Sequence, residues 1–417
     1  MIRLFQSNFY SSFVVSFTAI GTLGAIILFF VNDYSLSQCI FNSFSALTNT
    51  GLTAFDFARS SSLTKCILLL LIQIGSRPLW SLVPLFVRRR FLIRHFSELV
   101  IPQEVVHTVC RRNSSLGDLV DINPDEISLS LTQEEENQVH SSIPLYKYST
   151  EYWATTRLSR VVIRYIVSSY VLCFSLLSLR FLFSSHARSI ASEAGGWLWF
   201  SFFHTITAFN NVAFSLLGSS LYLFHSDPFI LLPLGIVMFA GSAGYPIFLR
   251  QVIKILSRRS SFATVDKFLL SHGREVYTHL FSQIETNWLA FWSFILYLIQ
   301  FVSFLVFDFS SLPGNFPTAL LNGVFGSIAV KSSGLNTFDW SILAPQTVYV
   351  AILLMLTGQL PFIATLRSSA KEYDKKRVDE PSSLIGVVKR ILKTQQDNAW
   401  MRDTFGFISL FSSLFLH

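Results

Sequence analysis

The chain has 417 residues, of which 51% are hydrophobic and only 14% charged, with a mean hydropathy of +0.49. That balance excludes an ordinary water-soluble domain. The net charge of +7 would suit nucleic acid, but its Lys and Arg sit in short clusters at the ends of apolar stretches, so no nucleic-acid partner is expected.

In chain order, the first apolar stretch covers 11–31, behind the single basic residue Arg3. It is too long for a signal peptide and lacks a small-residue cleavage site, so it reads as a retained membrane span. Next comes IFNSFSALTNTGLTAFD (40–56). Its helical part, Ile40 to about Thr50, would rise roughly 16 Å, half the thickness of a bilayer core. It cannot span; it can enter as a short helix and return as extended chain where protein surrounds it. A second span, 63–87, ends in GSRPLWSLVPLFVR and is followed by Arg88, Arg89, Arg90 and Arg94. The stretch 95–157, with TQEEENQVH, reads as a polar cytoplasmic loop.

The third span, 162–184, has Arg157, Arg160 and Arg164 at its start. After it, WLWFSFFHTITAFNNVAFSLLG (197–218) is a diverged copy of the first short segment, and a fourth span, 228–250, ends in GSAGYPIFLR, with Lys254, Arg258 and Arg259 beyond Arg250. A linker, 261–285, leads to the fifth span, 286–307, then FPTALLNGVFGSIAVKSSGLNTFD (316–339) and a sixth span, 342–366, ending in GQLPFIATLR. Lys371, Lys375, Lys376 and Arg377 follow it. Every basic cluster falls on one side if the N-terminus is cytoplasmic, as the positive-inside rule requires. Cys39, Cys66, Cys110 and Cys173 show no metal-ligand spacing and no disulfide framework.

The pattern Gly-Leu-x-x-Phe-Asp occurs twice, at Gly51 and at Gly334. Gly75 follows Gly51 by 24 residues, Gly358 follows Gly334 by 24, and Gly241 follows Ala213 by 28. The reading is an all-α membrane protein of repeated helix–pore loop–helix units around a central pore. The units are 1–94, 158–260 and 286–367, with a basic cytoplasmic linker at 368–401 and the start of a truncated fourth unit at 402–417. An ion filter needs backbone carbonyls turned to an axis, which favours residues at positive φ, and the carbonyl pole of each short helix points at the ion path. Thr48, Asn49, Thr50 and Gly51, then Asn210, Asn211, Val212 and Ala213, then Lys331, Ser332, Ser333 and Gly334 are the expected filter residues. Leu52 and Leu335 read as packing residues. Asp56 and Asp339 fall at the outer mouth, where they either concentrate cations or cap the next element. His204 reads as a packing or capping residue.

At SALTNTGL (45–52), FHTITAFNNVAF (203–214), GSAGYPIFLR (241–250) and AVKSSGLNTFDWSIL (329–343), the chain resembles the Trk/Ktr/HKT superfamily of potassium and sodium transporters. The resemblance implies four helix–pore–helix units, potassium and/or sodium as the transported ions, a plasma-membrane location, no cofactor and the option of a homodimer. Lys331 stands where the family's third loop has Arg, and Ala213 replaces a filter glycine, with about 1 kcal/mol of strain expected if its φ is positive. In plant members Gly rather than Ser at the first loop goes with potassium, so Gly51 puts potassium ahead of sodium. The missing fourth unit leads to the expectation of an incomplete pore, and hence to the alternative of a truncated, non-conducting relative. A membrane enzyme would need clustered His, Asp or Glu within several spans, and the spans here are nearly free of them.

Overall fold

The computed structural model describes residues 2–31, 34–96, 133–259, 263–277 and 279–357. Residues 97–132, Gly358, the basic linker 368–401 and the segment 402–417 lie outside the described residues.

The chain is built of helices whose lengths divide into two groups. α1 (Ile2–Val31), α6 (Gln133–Phe183) and α13 (Gln283–Phe307) each contain a window long and apolar enough to cross a membrane: Val14–Val31, Thr150–Phe183 and Gln283–Phe307. Their outward faces carry exposed Leu, Ile, Val and Phe, which suits lipid rather than water. The short group comprises α2 (Leu36–Leu47), α8 (Trp197–Phe209) and α14 (Phe316–Lys331). At 1.5 Å per residue these helices reach only about 18 to 24 Å, less than a bilayer core. Each packs among neighbouring helices: α2 against α1 and α3 (Ser62–Ile74), α8 against α6 and α9 (Pro228–Gly241), and α14 against α13, α9 and α15 (Pro345–Thr357).

The second and fourth spans are broken. Ser62–Ile74 and the segment from Arg77, made of α4 (Arg77–Trp80) and α5 (Leu82–Phe96), meet at 46°; α9 and α10 (Gly244–Arg259) meet at 85°. Both breaks fall at a Gly-Ser step followed by Pro, residues that interrupt helices, and a tertiary contact sits on each. A Cβ on Gly75 would stand 1.9 Å from the carbonyl oxygen of Leu47, and one on Gly241 would stand 1.7 Å from that of Phe209. The last carbonyls of α2 and α8 have no partner within their own helices; each presses onto a neighbouring helix where only glycine leaves room. Pro78 then starts a new helix in a position that tolerates proline.

The abundant phenylalanines fill the space between these elements. Phe181, Phe200, Phe203, Phe209, Phe214 and Phe224 are fully buried or nearly so. Phe57, beyond the first short helix, stacks on Phe214 at 4.9 Å and meets Phe203 at 5.6 Å, tying the first and second short-helix regions together.

The remaining helices, α7 (Ser185–Glu193), α11 (Ala263–Ser271) and α12 (Gly273–Val276), are connectors. α11 is pinned to α6 by a buried ion pair, Arg157 Nε to Asp266 at 3.3 Å, with side-chain exposures of 7% and 0%. Arg250 donates to the carbonyls of Phe281 (2.5 Å) and Leu270 (3.3 Å). Tyr277 joins Ser81 and Tyr245 in a chain of hydroxyls. One expected boundary moves: α6 begins at Gln133, inside the stretch read as a loop to residue 157. The Glu/Gln-rich run 133–138 favours helix, and Arg88 Nε meets Glu151 at 2.5 Å, docking α5 on it.

Candidate functional site

The site is built from the C-terminal ends of the three short helices. α2 starts with a capping box, Ser35 with Gln38, which satisfies two of its orphan N–H groups. It closes at Thr48: Asn49 N–H donates to Ala46 (3.2 Å) and Thr50 N–H to Ser45 (2.9 Å), with Asn49 left-handed at φ +55°. α8 closes in the same way. Asn211 N–H donates to Ala208 (3.1 Å) and Val212 N–H to Thr207 (2.9 Å), with Asn211 at φ +60°. This paired closure is the Schellman motif, and asparagine tolerates its left-handed position. α14 differs: Ser333 and Gly334 N–H both reach the Ala329 carbonyl, and the left-handed residue is Gly334 itself, at φ +69°.

Beyond these closures the loops meet at one residue. A Cβ on Gly51, whose φ is +82°, would stand 2.4 Å from the backbone nitrogen of Ala213, and a Cβ on Gly334 would stand 3.4 Å from the Cβ of Ala213. The methyl of Ala213 therefore lies between the two glycines of the duplicated pattern. Ala213 itself does not have positive φ, so the strain expected there is absent. The left-handed turn of this loop is carried by Asn211, two residues earlier.

The other expected filter residues divide by accessibility. Thr48 and Thr50 are exposed, their hydroxyls 2.7 Å apart, and Gly334 is exposed as well. Asn49 is buried, its amide donating to the Gly75 carbonyl at 3.0 Å. Asn210 is buried against Tyr170 (3.2 Å) and Gln73 (3.3 Å), and Tyr170 donates to Gln73 at 2.9 Å. Asn211 donates to Phe209, and Val212 is fully buried. Lys331 is half-buried with its Nζ 4.9 Å above the ring of Tyr297. Ser332 meets Ser242 at 3.2 Å, at the break between α9 and α10, and Ser333 lies against the Met238 sulfur. Leu335 is buried as expected, whereas Leu52 is 59% exposed.

The two aspartates expected at the outer mouth, Asp56 and Asp339, both close short turns. Asp56 accepts from Ala58 N–H (3.1 Å) and pairs with Arg59 (3.3 Å); Asp339 accepts from Ser341 N–H (2.9 Å). The backbone N–H and then the side chain of Ser341 hold the Asp339 carboxyl below the usual carboxylate range. Gln73, Tyr170, Ser242 and Tyr297 were not expected from the sequence. Their only signal was polarity inside apolar spans.

These helices and loops define a helical integral membrane protein. Residues 137–416, more than half of the chain, match the TrkH cation transport protein family, and the chain belongs to it. This is a family of transport proteins, not of enzymes. The chain is 33% identical over 234 residues to a Dictyostelium discoideum protein provisionally described as a potassium transport protein, covering 54% of this chain and 35% of that one. It is 28% identical over 225 residues to the low-affinity potassium transport protein of Saccharomyces cerevisiae, covering 52% of this chain and 25% of the other. Potassium transport protein 1 of Schizosaccharomyces pombe is 28% identical over 180 residues, covering 41% and 21%. The chain thus spans about a third or less of the length of these curated relatives.

Proposed function

We propose that the protein carries monovalent cations, potassium ahead of sodium, across the plasma membrane through a filter made by the loops that follow α2, α8 and α14. In this reading each loop belongs to one helix–pore loop–helix unit, and the N-terminus is cytoplasmic. The observation that carries it is the meeting of Gly51 and Gly334 on Ala213. Each of the three loops leaves the C-terminal, carbonyl-bearing end of a short helix, the pole that favours a cation, and in the first and third loops glycine lets the backbone turn its carbonyls toward an ion. The threonine hydroxyls beside Gly51 add oxygen ligands of the kind a hard cation prefers. The relatives described as potassium transport proteins and the presence of Gly rather than Ser at position 51 support potassium as the favoured ion.

The test is ion-dependent stability of the purified protein in detergent. A cation bound by the folded loops stabilises the fold by mass action, by ~2.7 kcal/mol at about a hundred times its dissociation constant. Potassium is expected to raise the melting temperature above that in choline, with sodium giving a smaller rise. Equal melting in potassium and choline would overturn the proposed filter. Rubidium flux into proteoliposomes then measures conduction directly.

A further inference from the structure

We propose that Asn42 and His204 are equivalent latch residues, which hold the descending limbs of the first and second loops and so position Gly51 and Ala213. The proposal rests on the ion-filter reading above.

His204 is fully buried in α8, its ring stacked on Phe200 with centroids 3.9 Å apart. Its Nδ1 lies 3.1 Å from the Phe200 carbonyl, one turn back on the same helix, and its Nε2 lies 3.1 Å from Ser215 Oγ. A carbonyl only accepts, so Nδ1 carries the proton and Nε2 of the neutral ring is an acceptor. Ser215 has one hydroxyl hydrogen and two acceptors in reach, Nε2 at 3.1 Å and the Ser220 carbonyl at 3.4 Å. The shorter contact assigns that hydrogen to His204. Ser215 Oγ in turn accepts from Leu217 N–H at 3.2 Å. The imidazole thus ties the short helix to the chain two residues past Ala213.

α2 repeats this division of labour with a different side chain. Asn42 stands nine residues before Gly51, as His204 stands nine before Ala213, and it too is fully buried. Its Nδ2 donates to the Gln38 carbonyl, one turn back, at 2.7 Å, and its Oδ1 accepts from Ala54 N–H at 3.2 Å. In both helices one polar atom is spent on the helix's own carbonyl and the other accepts from the descending limb. Neither residue reaches the meeting point itself. Each acts through the limb it holds.

α14 is built differently. Its buried Asn322 also donates one turn back, to Thr318 (2.9 Å), but its further contacts are the carbonyls of His225 (3.1 Å) and Pro313 (3.4 Å). The third loop is held instead from the second, where Leu221 N–H donates to the Asn336 carbonyl (2.9 Å) and Asn336 N–H to Ser220 Oγ (3.1 Å). The latch therefore belongs to the first two loops, and the third leans on the second.

Two measurements on the full chain test this, with Ser215→Ala, His204→Ala and Asn42→Ala. Hydrogen exchange of the backbone amides is expected to speed up at 213–218 in the first two variants and at 51–56 in the third. The potassium-over-sodium affinity ratio, read from cation-dependent melting, is expected to fall about fivefold, the size of one lost hydrogen bond. His204→Gln should recover most of the ratio, because its amide oxygen replaces Nε2 as acceptor, and the double variant His204→Ala/Ser215→Ala should lose no more than either single change. Unchanged exchange at 213–218 in Ser215→Ala, or additive losses in the double variant, would overturn the latch. Ser215→Ala removes a single oxygen, so the test survives if His204→Ala fails to fold. If the unaltered protein shows no potassium preference the filter reading falls, while the exchange data still decide the latch.

Discussion

The carbonyl oxygen of Leu47 occupies the place that a Cβ would take on Gly75, 1.9 Å from that ideal position. Phe209 and Gly241 stand in the same relation, at 1.7 Å. In both cases the end of a short helix rests on the break of a longer one, so the loop that follows inherits its position from the break.

Gly75→Ala and Gly241→Ala are therefore expected to destabilise by about 3 kcal/mol or more, at or beyond the upper range for overpacking, because backbone rather than a side chain must move. Gly235→Ala is the control. Gly235 lies within α9, where alanine favours helix by roughly 1 kcal/mol, and its Cβ would meet only side-chain atoms at ordinary distances, Ile328 Cδ1 at 3.6 Å and Phe325 Cδ2 at 3.7 Å. Melting temperatures that fall equally in all three variants would contradict this account of the breaks.

Gly51→Ser places a side chain against the Ala213 nitrogen, at a φ of +82°. The expected result is a loss of preference for potassium over sodium, measured by cation-dependent melting or by reversal potentials where currents are obtained. An unchanged preference would remove Gly51 from selectivity.

Ala213→Gly separates strain from contact. Since Ala213 lacks positive φ, glycine relieves nothing and is expected to leave stability within about 1 kcal/mol, on the destabilising side through chain entropy. Ala213→Val adds bulk between Gly51 and Gly334 and is expected to suppress cation-dependent stabilisation. A clear rise in melting temperature for Ala213→Gly would show that the position is strained after all.

Arg157→Met leaves Asp266, which is 0% exposed, without its guanidinium partner. Removing one member of a buried pair costs roughly 3–5 kcal/mol, whereas replacing both with apolar residues is often neutral. Arg157→Met is thus expected to lower thermal stability sharply and Arg157→Met/Asp266→Leu to restore much of it. A double variant no better than the single would count against the pair as the fastener of α11.

A cysteine introduced by Gln133→Cys, at the start of α6, is expected to resist membrane-impermeant maleimide applied from outside intact cells. The expectation rests on the proposed orientation, in which the positive-inside rule puts the basic clusters Arg88–Arg90 and Arg157–Arg164 on the cytoplasmic side. Strong external labelling would reverse the proposed orientation.

Much of this organisation is legible in the sequence because it depends on local quantities. Hydropathy over about 20 residues marks the long helices, and the rise per residue shows that 40–50 is too short to span. The duplicated Gly-Leu-x-x-Phe-Asp singled out Gly51 and Gly334 as a pair. The placement of Asn210 was not legible. Its partners Gln73 and Tyr170 lie 137 and 40 residues away, and polarity within an apolar span does not say which other polar residue will answer it. The burial of Asn49 against Gly75, and of Val212 among apolar neighbours, has the same origin.

The sequence by itself determined the class of protein, which short segments cannot span a bilayer, and the glycines around which two of the loops turn. Only the tertiary structure decided which carbonyls are seated on the breaks of the second and fourth spans, that Asn211 rather than Ala213 takes the left-handed turn, and that Ala213 comes to lie between Gly51 and Gly334. The physical reason is that helix length and apolar character are sums over neighbouring residues. The contact that seats a carbonyl from another helix on each break, and the placing of Ala213 against both glycines, exist only once the helices have packed.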